Sequence, residues 1–354
     1  KGERLMNKRI KVLVVDDSLF FRGVLTKKLA EFSNIDVLGY ARDAFEAKEK
    51  ILLLKPDVIT LDVEMPKQSG IEFLNQILPE QPIPIVLVSA LDISVFDALA
   101  AGAVDFVKKP ELARTDNITA FINELAAKIT IASNAKVTAP LKTSAILTIS
   151  KPNFAPIKLS TLTSTTIIAL GASTGGTEAT IPVIKDLPED TPGILIVQHM
   201  PPGFTKMYAE RLNRLCKMEV REAVNGDIVK PGLILVAPGD YHMKLTKIGV
   251  NYVVKCYQAE KVSGHRPSVD VLFDSVAEVA KKNAVGIIMT GMGRDGAQGL
   301  LNMRKAGAFT IGQNKESCVV YGMPMVAKNI GAVCTETSFE NIPFVLRKHL
   351  ASLE

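Results

Sequence analysis

Three short apolar runs, at residues 167–171, 194–198 and 285–290, constrain this chain more than any other feature. They show neither helical nor alternating periodicity. Such runs, bounded by turn residues, predict strands buried on both faces, as in a parallel sheet covered by helices. The carboxyl ends of parallel strands lie along one rim, so residues remote in sequence meet there. Just beyond these three runs stand Ser173, His199 and Asp295. A serine, a base and an orienting carboxylate on one rim predict acyl hydrolysis.

Ser173 occupies Gly171-Ala172-Ser173-Thr174-Gly175-Gly176, ahead of a helix expected to begin near Thr177. Small neighbours permit the sharp turn of a nucleophile elbow, and the helix N-terminus offers N–H groups to an oxyanion. A glycine turn without catalysis and a phosphate cradle compete with this reading. Gly171, Ser173 and Gly176 have the G-x-G-x-x-G spacing, but serine replaces the glycine that lets backbone approach a pyrophosphate. An acidic ribose ligand belongs about twenty residues on, and Asp186, Glu189 and Asp190 come too early.

Of the four histidines, only His199 follows a buried-type strand. His242 and His265 lie in polar loops that either line a substrate pocket or have no chemical role, and His349 reads as a solvated residue of a basic terminal helix. Asp295 lies in Thr290-Gly291-Met292-Gly293-Arg294-Asp295-Gly296, before a helix running through Leu300 to Lys305. It would hold the imidazole tautomer and stabilise the imidazolium; the plainer alternative is an N-cap. The order serine, histidine, aspartate is not that of the α/β-hydrolase fold.

The first half carries a separate chemistry. Residues 10–17 predict a strand ending in Asp16 and Asp17, and residues 58–62 one ending in Asp62, ahead of Val63-Glu64-Met65. Residues 83–88 lead to Ser89, and 103–107 to Lys109. Helical stretches between them make this alternating β and α, hence a parallel sheet. Carboxylates on one rim need a counter-charge, which a hard cation such as Mg²⁺ supplies.

This half, about residues 10–131, resembles a two-component receiver domain. The resemblance implies that Asp62 accepts a phosphoryl group and that Asp16, Asp17, Asp62 and the Glu64 backbone hold Mg²⁺. It implies that Ser89 and Lys109 contact the phosphoryl oxygens, and that Phe106 is the switch aromatic. One departure is Asp43-Ala44, where a glycine commonly follows the aspartate.

Domain by domain, the chain resembles the chemotaxis protein-glutamate methylesterase family. The likeness in the second half rests on the Ser173 and Asp295 loops, Gln198-His199-Met200-Pro201-Pro202-Gly203-Phe204, Ser263-Gly264-His265-Arg266-Pro267-Ser268-Val269-Asp270 and Ser317-Cys318-Val319-Val320-Tyr321-Gly322-Met323-Pro324. It implies a Ser173, His199, Asp295 triad flanked by Thr174 and Met292, with Met292 a backbone oxyanion donor. The implied activity is hydrolysis of glutamyl methyl esters, and deamidation of selected glutamines, on methyl-accepting chemoreceptors, giving adaptation. The implied phosphodonor is a chemotaxis histidine kinase, and the esterase site needs no cofactor.

The expected architecture is α/β throughout. Residues 8–131 form a flavodoxin-like (βα)5 receiver, 132–163 a flexible linker, and 164–354 a Rossmann-like, doubly wound, mainly parallel esterase domain. Between Leu125 and Thr177 there is no Asp or Glu, while five lysines recur, as in a mobile tether. A switch domain on such a tether predicts that the unphosphorylated receiver covers the Ser173 rim and that phosphorylation uncovers it.

The net charge of +5 on 354 residues does not ask for nucleic acid. A DNA-binding output would need a basic helix-turn-helix, and a nucleotide-dependent oxidoreductase would need a dinucleotide at residues 171–176; neither pattern fits. No apolar run approaches the roughly twenty residues of a membrane span. Residues 1–11 do not read as a signal peptide, and residues 1–5, ahead of Met6, are left out of the fold reading. Cys216, Cys256, Cys318 and Cys334 lack C-x-x-C spacing. That fits a cytoplasmic, reducing setting, with Cys318 expected to be buried.

Overall fold

The computed structural model describes residues 8–65, 68–90, 93–110, 115–137 and 165–353. The chain divides into two compact units, Lys1–Leu147 and Thr148–Glu354. Apart from residues 132–137, the expected linker at 132–163 lies outside the described residues.

The first unit alternates strands and helices: β1 (Ile10–Val15), α1 (Leu19–Leu29), β2 (Ile35–Ala41), α2 (Ala44–Leu54), β3 (Val58–Asp62), α3 (Gly70–Ile77), β4 (Ile85–Ser89), α4 (Ser94–Ala100), β5 (Asp105–Lys108) and α5 (Thr115–Ala132). The sheet order β2-β1-β3-β4-β5 is parallel throughout, the flavodoxin-like winding. Every residue of β3 and β4 is buried, as expected of strands covered on both faces. Side-chain caps begin α1, α2 and α3. The Asp43 carboxylate accepts from the N–H groups of Phe45 and Glu46, so Ala44 in place of glycine leaves that cap intact. Ser69 and Glu72 form a reciprocal capping box on α3, of the kind that contributes about 1 kcal/mol.

The second unit contains β6 (Ile167–Ala172), α6 (Gly176–Ile184), β7 (Gly193–Gln198), α7 (Phe204–Leu215), β8 (Glu219–Glu222), β9 (Leu233–Val236), β10 (His242–Ile248), β11 (Asn251–Tyr257), α8 (Val269–Val279), β12 (Ala284–Ile288), α9 (Ala297–Lys305), β13 (Phe309–Gln313), α10 (Met323–Asn329), β14 (Thr335–Thr337) and α11 (Ile342–Ala351). Seven parallel strands run β14-β13-β12-β6-β7-β9-β8, while β10 and β11 form an antiparallel pair. The chain moves outward from β6 through β7 and later returns to β12 on the other side. The winding therefore reverses beside β6, where an open α/β sheet leaves its ligand crevice.

Glycine at 171 follows from packing at that crevice. A Cβ there would come within 2.2 Å of Val269 Cγ1, so the amino end of α8 closes directly over β6. Two sequence expectations are corrected. The first strand stops at Val15, because Asp16 and Asp17 turn out toward the rim and the Asp16 side chain accepts from Ser18 N–H at 2.9 Å. His349 is not a solvated residue but is half-buried. Its ring stacks on Phe309 at 4.2 Å, and burial lowers its pKa.

Candidate active site

In the second unit, the register of β6 on β7 pairs Ala172 with Gln198, so Ser173 and His199 are the next residues out on neighbouring strands. His199 N–H donates to Ala172 O at 3.2 Å, and Ser173 N–H donates to Thr290 O at 3.0 Å, beyond β12 on the other side. Ser173 thus leaves the sheet between the two strand ends that carry the other candidates. Its turn is tightly enclosed. Gly175 caps α6 at φ +77°, and a Cβ on Gly291 would lie 2.6 Å from Ser173 Cβ. Gln198 Nε2 donates to Ser173 O at 2.9 Å, a support for the turn that sequence reasoning did not single out.

His199 Nε2 lies 2.8 Å from Asp295 Oδ2. Its other nitrogen, Nδ1, is buried and has no hydrogen-bond partner among the described residues. Asp295 is almost fully buried and accepts three further hydrogen bonds: from Ser268 Oγ at 2.7 Å, Val269 N–H at 2.8 Å and Asp270 N–H at 3.0 Å. The last two are the free N–H groups that begin α8. Asp295 therefore does cap a helix, but α8 rather than the α9 that follows it, whose N-cap is Gly296. Asp270, in the first turn of α8, returns the favour by accepting from Gly299 N–H of α9 at 2.8 Å.

This setting fixes the Asp295 charge. Burial opposes it, but the His199 hydrogen bond and charge and the α8 N–H groups outweigh burial and hold the carboxyl at about 2. Asp270 moves the other way, pushed to about 6 by burial first, with Asp295 and Asp274 adding to the rise. When Nε2 carries the proton it donates to the ionised Asp295, and Nδ1 is left as an acceptor.

The flanking residues differ from one another. Thr174 is buried, and its carbonyl accepts from Thr290 Oγ1 at 3.0 Å. The Met292 side chain is 47% exposed, and its backbone N–H has no partner among the described residues. Two loop histidines left open by the sequence are both placed here. His242 is buried; its Nε2 donates to Glu260 O at 2.9 Å and its Nδ1 accepts from Ser268 N–H at 3.3 Å. His265 stacks on His199, ring centroids 3.7 Å apart. Cys318 is buried as expected, and burial drives its thiol up to about 12, far from a working nucleophile.

In the first unit, Lys109 Nζ lies 2.5 Å from Asp62 Oδ2 and 3.0 Å from Asp16 Oδ2. Carboxylate oxygens of Asp16, Asp17 and Asp62 lie within 4.8 Å of one another. Glu64 N–H donates to Asp62 Oδ1 at 3.2 Å. Ser89 is buried, its Oγ without a hydrogen-bond partner among the described residues, while its carbonyl accepts from Lys109 N–H at 2.7 Å. Phe106 is buried in β5 with Lys128 Nζ 5.1 Å from its ring centre. The all-oxygen donor set of these carboxylates suits a small hard cation.

Asp62 carries the cost of this cluster. Burial, with a smaller push from the Asp16 charge, raises its carboxyl to about 6 despite Lys109. A raised folded-state pKa means that the folded chain binds the proton more tightly, so stability falls as pH rises from about 4 to 6. Asp62→Asn should therefore stabilise the first unit at pH 7 by ~1–3 kcal/mol, a gain that shrinks toward pH 4. Thermal unfolding at both pH values measures it; equal midpoints for the two proteins at pH 7 would contradict it.

Residues 168–346 match the family model described as CheB methylesterase, and residues 12–123 match that of the response regulator receiver domain. The chain belongs to the CheB methylesterase family. A relative from Syntrophomonas wolfei, protein-glutamate methylesterase/protein-glutamine glutaminase 2, is 55% identical over 326 residues, covering 92% of this chain and 93% of its own. The protein-glutamate methylesterase/protein-glutamine glutaminase of Escherichia coli K12 is 46% identical over 333 residues, with 92% and 93% covered. Among solved structures, the Thermotoga maritima CheB methylesterase catalytic domain is 36% identical and aligns with a TM-score of 0.51, covering 54% of this chain and 100% of that one. The chain thus joins a receiver domain to a hydrolase domain of the α/β class. No helix among the described residues is long and apolar enough to cross a membrane.

Proposed function

We propose that this chain is a phosphorylation-activated esterase that hydrolyses glutamyl methyl esters, and deamidates selected glutamines, on methyl-accepting chemoreceptors. The observation that carries the reading is the His199–Asp295 pair, which leaves Nδ1 free at the strand end beside Ser173. Ser173 Oγ attacks the side-chain carbonyl as His199 Nδ1 takes its proton. The Met292 backbone N–H, with the turn at Thr174, faces the oxyanion. Collapse of the tetrahedral intermediate expels methanol, or ammonia from a glutamine, protonated by His199. Water deprotonated by His199 then cleaves the acyl-enzyme, freeing glutamate and Ser173.

In the receiver, Asp62 is the phosphoryl acceptor, with Ser89 and Lys109 contacting the phosphoryl oxygens. Asp16, Asp17, Asp62 and the Glu64 backbone are the proposed Mg²⁺ ligands. The ion, when bound, neutralises phosphoryl charge during transfer from a chemotaxis histidine kinase. The unoccupied Ser89 hydroxyl and the clustered carboxylates support this assignment. Phe106 is the proposed switch aromatic. In this reading residues 8–131 are the receiver, 132–163 the linker and 164–354 the esterase, and the unphosphorylated receiver occludes the esterase rim.

The test is methanol release from methylated chemoreceptor membranes, with and without a small phosphodonor and Mg²⁺. Release should rise with phosphodonor in the wild type and stay flat in Asp62→Asn. No release from wild type under any condition would end the substrate assignment, and equal release with and without phosphodonor would end the switch.

A further inference from the structure

We propose that His265 is a positioning residue for the catalytic base, holding the His199 ring at its working angle by stacking on its face. The inference rests on the hydrolytic reading of Ser173 and His199. The two rings are within 7° of parallel, with centroids 3.7 Å apart. Among the described residues the edge of His199 is tied at one point, through Nε2 to Asp295, and Nδ1 has no partner. A ring held by one hydrogen bond can pivot about it, and a pivot carries Nδ1 away from Ser173. A flat neighbour on the ring face blocks that motion without occupying the nitrogen that must accept the serine proton.

The segment around His265 is itself braced. Val262 and His265 exchange backbone hydrogen bonds at 2.9 and 3.1 Å. Arg266, the next residue, donates through Nε at 3.0 Å to Asp240 and forms an ion pair with it. Three residues beyond His265, Ser268 donates through Oγ to Asp295 and through its backbone N–H to His242 Nδ1. One short segment therefore carries both the ring that stacks on the base and a hydroxyl that binds the orienting carboxylate. The stack also suits the charge that develops. When Ser173 loses its proton His199 becomes an imidazolium, and the π-face of a neutral ring attracts a cation.

Full-length His265→Leu and His265→Phe, compared with wild type and Ser173→Ala, test this in the presence of phosphodonor and Mg²⁺. Leucine keeps the bulk without a flat face, whereas phenylalanine restores the face without a titrating nitrogen. The readouts are kcat and KM for methanol release, and the rate at which a fluorophosphonate labels Ser173, which reports the base without the receptor. His265→Leu should lose about 10- to 100-fold in both kcat and labelling rate, the scale of a misplaced catalytic group, with KM nearly unchanged. His265→Phe should recover most of that loss. Wild-type rates in His265→Leu, a change confined to KM, or a phenylalanine variant as slow as leucine would each overturn the stacking role. If Ser173→Ala itself kept wild-type turnover, the hydrolytic reading would fail instead; an inactive Ser173→Ala beside a fully active His265→Leu sinks only the inference.

Discussion

Ser173→Ala should lower methanol release by about 10⁴- to 10⁶-fold, and adding His199→Ala should lower it little further. Alanine removes the only oxygen that forms the acyl bond. Without it the Nδ1 lone pair of His199, free of any other partner, has no proton to accept. The two residues therefore act as one unit, and losses that multiplied in the double variant would show that they do not. Neither change touches the Asp62 cluster, which belongs to the other compact unit, so phosphorylation of Asp62 should persist in both variants. Radiolabel on Asp62 from a small phosphodonor, measured alongside methanol, separates loss of catalysis from loss of folding.

Asp295→Asn should cost about 10⁴-fold in kcat, through the tautomer rather than through any movement of the loop. With its oxygen in the Oδ1 position the asparagine still accepts from Asp270 N–H, but its amide then faces Nε2, and Val269 N–H beside it, as a donor. His199 must answer with a lone pair on Nε2 and carry its proton on Nδ1, the side on which Ser173 needs an acceptor. The wild-type carboxyl, held near 2, stays ionised through the neutral range. Because that pKa is depressed, its contribution to stability is full above about pH 4 and is lost as pH falls toward 2. The activity of the wild type near neutrality should owe none of its pH dependence to Asp295. A pH–rate profile of both proteins checks this, and a variant within tenfold of wild type would remove the carboxylate from the base's support.

The rim was legible because one local signal, a buried apolar run followed by a polar residue, is also a statement about position in a parallel sheet. That signal suffices to bring Ser173, His199 and Asp295 to adjacent strand ends, and Asp16, Asp62, Ser89 and Lys109 to another rim. What it does not carry is contact between segments that share no local pattern. Asp295 reads equally well as the cap of the helix that follows it, and in the fold it accepts from the N–H groups of α8 instead. His265 and His242 both read as loop residues in the sequence, yet His265 stacks on the base while His242 opens β10 and is buried, accepting from Ser268 N–H. His349 sits in a basic helix whose charges suggest water, while its ring finds Phe309.

The exchange of aspartates between α8 and α9 has a consequence for how the base's carboxylate is held. Each helix owns the carboxylate that the other's amino end requires. The end of α8 also has its own cap, Ser268, whose Oγ accepts from Val271 N–H, so the aspartates are a further tie between the two helix ends. The carboxylate that pairs with His199 is thereby seated by the same hydrogen bonds that join the amino ends of α8 and α9.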